Sequence, residues 1–333
     1  MQSIYYVISW LCHRACPHCY DARFRPYSGA ERERVAGESH ANFARIIANF
    51  PERMGYSDRS EGGKGKVGTI ILSGGEVLID PIRESVLYPA LELLWRRYLG
   101  EVNLVVQTTG DLVTKEIVHA LLKRNVAVVS VSGVDQYHAG LEEEPSRAAL
   151  RDKLTDIFQA EGLRYGATQD DTPGARYHFF GATPDSWIGK LWPRGRAWSN
   201  GLSTADLAEN FCNRWSGGLG FLDYGLEGSE VSVDPAGNVF PCCLKTKLPI
   251  GNLLTEPLES ILRHRSTDPV YRAISAGQPQ RMGIERGWSE AKFVEMSRTA
   301  TADGRPYTNL CIGCDRFHQD VLAAESPLII LGN

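Results

Sequence analysis

Cys12-His13-Arg14-Ala15-Cys16-Pro17-His18-Cys19 places three thiols within eight residues, directly after the apolar run Ile4-Tyr5-Tyr6-Val7-Ile8-Ser9-Trp10. A short apolar, aromatic-rich run of this kind reads as a buried strand, so the thiols sit on the loop that follows it. A structural zinc ion or a cubane iron-sulfur cluster takes four protein ligands. Three convergent thiolates from one loop therefore leave a metal position open to something that is not protein, which makes the loop a chemical site. A three-cysteine zinc site and incidental buried thiols are the plainer readings.

Working outward, the whole chain has 333 residues, 43% hydrophobic and 23% charged, with a net charge of −4. That is ordinary for a globular protein, and long enough for one large domain and a smaller one. The acidic balance, without any long run of Lys or Arg, excludes an electrostatic nucleic-acid binder. Residues 1–11 lack a basic flank and a small-residue cleavage site, and no stretch of about 18 apolar residues occurs. We therefore expect a cytoplasmic protein with no membrane contact. In that compartment eight Cys read as metal ligands rather than a disulfide framework.

After the cysteine loop, residues 21–40 are polar, and Phe43, Ile46, Ile47 and Phe50 mark an amphipathic helix over 41–50. The Gly-rich stretch 51–65 reads as a solvated linker, since Gly62-Gly63-Lys64-Gly65 has no following Ser or Thr and precedes a strand. Val67–Ser73 is a continuous β-branched run, as in a strand buried on both faces; it closes in Ser73-Gly74-Gly75-Glu76. A helix over 83–98 and a strand over 102–107 follow, ending in Thr108-Thr109-Gly110. A helix over 114–123 then leads to the strand Val126–Ser132 and to Asp135, Tyr137 and His138. Beyond a helix over 148–159, strands are expected over 163–168 and 176–181, around the turn-rich 169–174. This βα alternation predicts a parallel sheet with its site at the strands' C-terminal ends.

The segment from Trp187 to Trp198 is aromatic and carries Gly195-Arg196-Ala197. From about residue 201 the alternation stops and Cys212, Cys242, Cys243, Cys311 and Cys314 appear. Val231–Cys242 reads as a hairpin turning at Pro235-Ala236-Gly237. Domains are thus expected over 1–200 and 201–333. Four of these five thiols suffice for one fully protein-ligated cluster, with Cys242 or Cys243 as the second ligand; a zinc ribbon is the alternative.

Taken together, CxxxCxxC, Gly-Gly-Glu after the second strand, the strand-end Ser132, Gly-Arg-Ala and the Gly-x4-Cys spacing of Gly237 and Cys242 resemble the radical S-adenosylmethionine (SAM) enzymes that carry a C-terminal SPASM or shorter twitch extension. The resemblance implies an α/β fold, a partial (β/α)6 TIM-like barrel with a small α+β iron-sulfur domain. It implies two 4Fe-4S clusters, one on Cys12, Cys16 and Cys19 with SAM on the open iron, the other on the extension's cysteines. It further implies that Ser73, Gly74, Gly75, Glu76, Thr108, Thr109, Ser132, Arg147 and His18 bind SAM, with Glu76 on its amino group. SAM cleavage would yield a 5'-deoxyadenosyl radical that takes hydrogen from a small-molecule or peptide substrate. Relatives oxidise aminocyclitols or sugars in natural-product pathways, or oxidise and cross-link ribosomal peptides; the first strand begins at about residue 3, which favours a small substrate. A zinc-stabilised binding module is the reading from another class. Arg196 is the first candidate for the proton-handling residue, followed by Tyr137, His138 and Asp135. A flavodoxin- or ferredoxin-type electron donor and a monomeric state are expected.

Overall fold

The computed structural model describes residues 1–58, 61–166, 174–181 and 190–325. Most of the expected turn at 169–174, the end of the strand expected over 163–168, and Trp187 lie outside these residues. The centre of the molecule is one nine-stranded sheet. Its strands are β1 (Ser3–Val7), β2 (Thr69–Ser73), β3 (Asn103–Thr108), β4 (Val126–Ser132), β5 (Arg164–Tyr165), β6 (Arg176–Phe180), β7 (Glu230–Val233), β8 (Asn238–Phe240) and β9 (Gly251–Asn252). They lie in the order β9-β8-β7-β1-β2-β3-β4-β6-β5. From β7 to β5 every pairing is parallel, and only the β7-β8-β9 meander is antiparallel. The order has two free ends, so the sheet is an open, partial barrel.

Parallel neighbours need crossovers, supplied by α1 (Gly29–Ala48), α2 (Tyr88–Tyr98), α3 (Lys115–Leu122) and α4 (Glu144–Ala160). The two faces of the sheet differ in chemistry. One carries Ile4, Tyr6, Ile70, Leu72, Leu104, Val106, Val129, Val131 and Tyr177, each at most 1% exposed. Tyr6 meets Phe50 edge-on at 5.7 Å and Tyr177 stacks on Phe158 of α4 at 4.8 Å, so this is the helix-covered face. Because side chains alternate along a strand, the opposite face carries Ser3, Tyr5, Thr69, Ser73, Asn103, Gln107, Ser130, Arg176, His178, Glu230 and Ser232. Thr69, Asn103, Gln107 and His178 there are only half-buried. This face is mixed: polar side chains flank an apolar row of Ile71, Val105 and Val128, and its half-buried members make it the lining of a site rather than a closed core.

Several expectations are revised in detail. The first helix begins at Gly29 rather than 41, because 29–40 is rich in Glu, Arg and Ala, good helix formers whose exposed turns leave no apolar period to read. The supposed linker folds as a hairpin, Gly55–Asp58 against Lys64–Val67. The last two barrel strands exchange places: β6 pairs with β4, leaving two-residue β5 at the edge. The hairpin beyond residue 201 joins the barrel sheet directly, with Ser3 opposite Glu230 and Tyr6 opposite Val233.

Candidate functional site

The cysteine loop leaves the sheet at the end of β1 and is closed at its base, where Cys12 N donates to the Arg25 carbonyl at 3.1 Å. Cys12 and Cys16 are 6% exposed and Cys19 is half-buried. Gly-Gly-Glu zips onto the strand leading into this loop: Gly75 N donates to Ser9 O at 3.1 Å and Glu76 N to Leu11 O at 2.9 Å. A Cβ on Gly75 would lie 2.4 Å from Leu11 O and 2.7 Å from Cys12 Cβ, so only glycine fits there.

Glu76 is 1% exposed. Its Oε1 accepts from Leu78 N and Thr108 Oγ1, both at 2.8 Å; its Oε2 accepts from Thr109 N at 2.7 Å and Thr109 Oγ1 at 2.6 Å. The single Thr109 hydroxyl proton is contested by Asp111 Oδ1, so Glu76 organises Thr108 and Thr109 while Oε2 keeps room for a further donor. Ser73 Oγ lies 2.7 Å from Tyr5 OH, and Ser132 Oγ donates to Thr108 O at 3.4 Å. Arg147 is held away from these groups by the Leu141 and Glu142 carbonyls, both at 2.7 Å, and by Glu144.

His18, Tyr137, Asp135 and His138 come together beside the loop. His18 Nδ1 donates to Tyr137 O at 2.9 Å, His138 Nδ1 to Asp135 Oδ1 at 3.1 Å, and the two imidazoles lie 4.4 Å apart. Burial, followed by the neighbouring His138, lowers the pKa of His18 to about 4. Reading the sequence missed the partners of His13 and Arg14: both meet Asp111, at 2.6 and 2.8 Å, and Arg14 also reaches Ala139 O at 2.6 Å. Ala139 N in turn points at Cys16 Sγ, 3.4 Å away. The signal was a carboxylate two residues past Thr109, opposite a loop with adjacent basic residues.

In the extension, Cys212 follows an Asn210 cap (3.0 Å to Cys212 N), and Cys311 and Cys314 open the Leu310–Phe317 helix behind an Asn309 cap (2.9 Å to Cys311 N). Burial raises the thiol pKa values of Cys212, Cys242, Cys311 and Cys314, Cys242 to about 11 and Cys311 to about 12; neighbouring thiols add to this at Cys212, Cys311 and Cys314, and Arg194 opposes it at all four. These four thiols face one another. Cys243 instead faces Glu230 and Lys245 as well as its neighbour Cys242, and lies by Tyr5 and Tyr20. Among the described residues, only His18, Asp135 and His138 form a trio of His, Cys, Asp or Glu ligand atoms all within 4.8 Å of one another. No three thiols come that close, whereas sulfurs on one tetrahedral zinc stand about 3.8 Å apart at bonds of about 2.3 Å. Buried polar atoms around the second set lack protein partners: Trp192 Nε1, Arg194 Nε, and both ring nitrogens of His318, one turn past Cys314. Both thiol sets therefore fit a group larger than one ion.

Residues 226–280 match the family model of SPASM, an iron-sulfur cluster-binding domain. The extension carries a SPASM iron-sulfur domain. The match spans Cys242 and Cys243, with Cys212, Cys311 and Cys314 flanking it, and the likeness to radical SAM chains with a SPASM-type extension holds at this end. Among solved structures the chain is similar to BtrN in complex with AdoMet and 2-DOIA (14% identity, 87% of this chain and 90% of that one, TM-score 0.44). It is also similar to anSMEcpe with bound AdoMet (13%, 97% and 93%, TM-score 0.45) and to Streptococcus suis SuiB bound to S-adenosylmethionine (11%, 82% and 67%, TM-score 0.34). Likenesses at these scores carry no weight for function. No curated protein matches the chain.

The remaining candidate, Arg196, lies against the cysteine loop. Its Nε donates to Cys16 O at 2.8 Å, Nη1 to Ala22 O at 3.1 Å and Nη2 to Phe24 O at 2.7 Å. A guanidinium occupied by three carbonyls holds a loop and is not placed to move a proton. On the mixed face of the sheet, Ser130 Oγ lies 2.9 Å from His178 Nε2, while His178 Nδ1 and Gln107 Oε1 are buried without partners. Gln107, Ser130 and His178 form one row across β3, β4 and β6. Burial lowers the His178 pKa, so the ring is neutral.

Proposed function

We propose that this protein is a radical SAM enzyme that oxidises a small hydroxylated molecule, such as an aminocyclitol or sugar of a natural-product pathway. The observation that carries this reading is the row Gln107, Ser130 and His178, with unpartnered Gln107 Oε1 and His178 Nδ1, on the sheet whose first strand leads into the cysteine loop. Cys12, Cys16 and Cys19 would hold one 4Fe-4S cluster, and Cys212, Cys242, Cys311 and Cys314 the other. Bound there, the first would supply reductive SAM cleavage and the second an electron acceptor.

The chain's own residues do the rest. Thr108 and Thr109, set by Glu76, and Ser132 on the neighbouring strand offer hydroxyl oxygens at the strand ends beside the cysteine loop. Gln107, Ser130 and His178 offer hydrogen-bonding atoms one row deeper, where substrate hydroxyls would satisfy the unpaired Gln107 Oε1 and His178 Nδ1. With Ser130 accepting from Nε2–H, Nδ1 has a free lone pair for the hydroxyl proton that an alcohol loses on oxidation. Neutral at neutral pH, His178 suits that role better than Arg196, whose guanidinium would need strong desolvation to lose a proton. A peptide substrate is the second reading. The test is anaerobic incubation of reduced protein and SAM with a metabolite extract or a peptide extract, followed by mass spectrometry. A metabolite product two hydrogens lighter, formed with 5'-deoxyadenosine and lost in His178→Gln while SAM cleavage persists, is expected; a product from the peptide extract alone would overturn it.

A further inference from the structure

Arg194, Gly195 and Arg196 lie between the two thiol sets, and the two arginines reach opposite ways. Arg196 clamps the cysteine loop through Cys16 O, Ala22 O and Phe24 O, and its own N–H donates to Cys19 O at 2.8 Å. Arg194 donates from Nη1 and Nη2 to Cys311 O, at 3.3 and 3.2 Å, and pairs with Asp315 at 2.9 Å, with its side chain 10% exposed. Gly195 makes this span possible. Its φ is +50°, and a Cβ would lie 2.5 Å from Tyr20 C and 2.6 Å from Cys19 O. A second tie runs parallel: Lys245, three residues after Cys242, places Nζ 3.0 Å from Asp21, two residues after Cys19, and over the Trp10 ring at 5.0 Å.

We propose that Arg194-Gly195-Arg196 ties the two cysteine sites into one unit, so that filling the cysteine loop slows loss of iron from the extension's site and the reverse. Both arginines are positioning residues that act through cysteine backbone carbonyls. Both ends are charge-assisted and at least partly buried, the class of hydrogen bond that holds geometry best. Coupling between two sites is reciprocal, so order gained at one carbonyl clamp is felt at the other. Arg194 also puts a positive charge beside Cys311, held there by the Cys311 carbonyl and by Asp315 at 2.9 Å. A cation there favours the reduced, more negative state of a cluster on the extension's thiols. The inference rests on the two-site reading above, but not on the substrate.

Anaerobically reconstituted protein, challenged with a chelator, reads the coupling as the rate of iron loss from the extension's site. Compared with wild type, the Cys12→Ala/Cys16→Ala/Cys19→Ala variant should lose that iron about tenfold faster, the scale of one or two charge-assisted hydrogen bonds. In an Arg196→Gln background this difference should collapse, and Arg196→Lys, which keeps the charge but not the planar fork, should not restore it. Arg194→Gln should move the midpoint potential of the extension's cluster to more negative values, measured by redox titration in the triple-cysteine variant. Equal release rates in wild type and the triple variant would overturn the coupling without needing any arginine variant, as would a difference that survives Arg196→Gln, or an unmoved potential in Arg194→Gln. Failure of either site to take up iron would overturn the two-site reading itself, whereas full uptake without coupling overturns only this inference.

Discussion

Glu76 accepts from Leu78 N, Thr109 N and the Thr108 hydroxyl, so replacing one oxygen with an amide sets donor against donor. Glu76→Gln is expected to lower stability by about 1–3 kcal/mol, the cost of a buried group left unsatisfied, with both clusters retained; thermal unfolding together with iron analysis checks it. His318 makes a pH prediction. Burial, then Arg194, lowers its pKa to about 3, against 6.5 unperturbed, and it is 0% exposed. With the folded pKa below the unfolded one, the unfolded state takes the proton first, so stability falls as pH drops below 6.5. Between pH 7.5 and 5.5 the loss is on the order of 1 kcal/mol, and denaturant midpoints for His318→Gln should lack that share. Residue types were easier to read than their partners. Motif positions in the cysteine loop and Gly-Gly-Glu stood out in sequence, while the use of Glu76 on two threonines and of Arg196 on carbonyls depends on segments about 30 to 180 residues apart in sequence.

At the level of elements, the approach of the Gly74-Gly75 turn to Leu11 and Cys12 decides whether the cysteine loop forms. Gly75→Ala should reduce iron from about eight to about four per chain, the contribution of one 4Fe-4S cluster, with the extension's cluster unaffected; iron analysis and EPR check it. Strands were legible because β-branched runs such as Thr69–Leu72 and Val126–Val131 have no other fate in a buried sheet. The start of α1 was not, since exposed helical turns leave no apolar period. The placing of β6 inside β5 was not legible because two-residue Arg164-Tyr165 is too short to carry a pairing preference, whereas β6 pairs with β4 over five residues. The polar positions of the mixed face were written in alternation all along, as Ser3-x-Tyr5, Ser130-x-Ser132, Arg176-x-His178 and Glu230-x-Ser232.

For the molecule as a whole, the change of pattern near residue 201 marks a change of architecture, yet β7 pairs with β1 and places the extension inside the barrel's sheet. Residues 1–200 alone would bare the edge of β1, with Tyr5 and Trp10, to solvent and to other chains; we propose that they do not fold as a separate unit, and a truncated chain should aggregate or show a broad, non-cooperative melt. Among the described residues no helix is long and apolar enough to cross a membrane. The central claim is that the open position on Cys12, Cys16 and Cys19 serves reductive SAM cleavage while the second thiol set holds its own cluster. Anaerobic reconstitution followed by dithionite reduction with SAM tests it most directly. The expected result is about eight irons per chain and 5'-deoxyadenosine formation that vanishes in Cys16→Ala but survives in Cys311→Ala; zinc in place of iron, or intact SAM in the presence of both clusters, would contradict it.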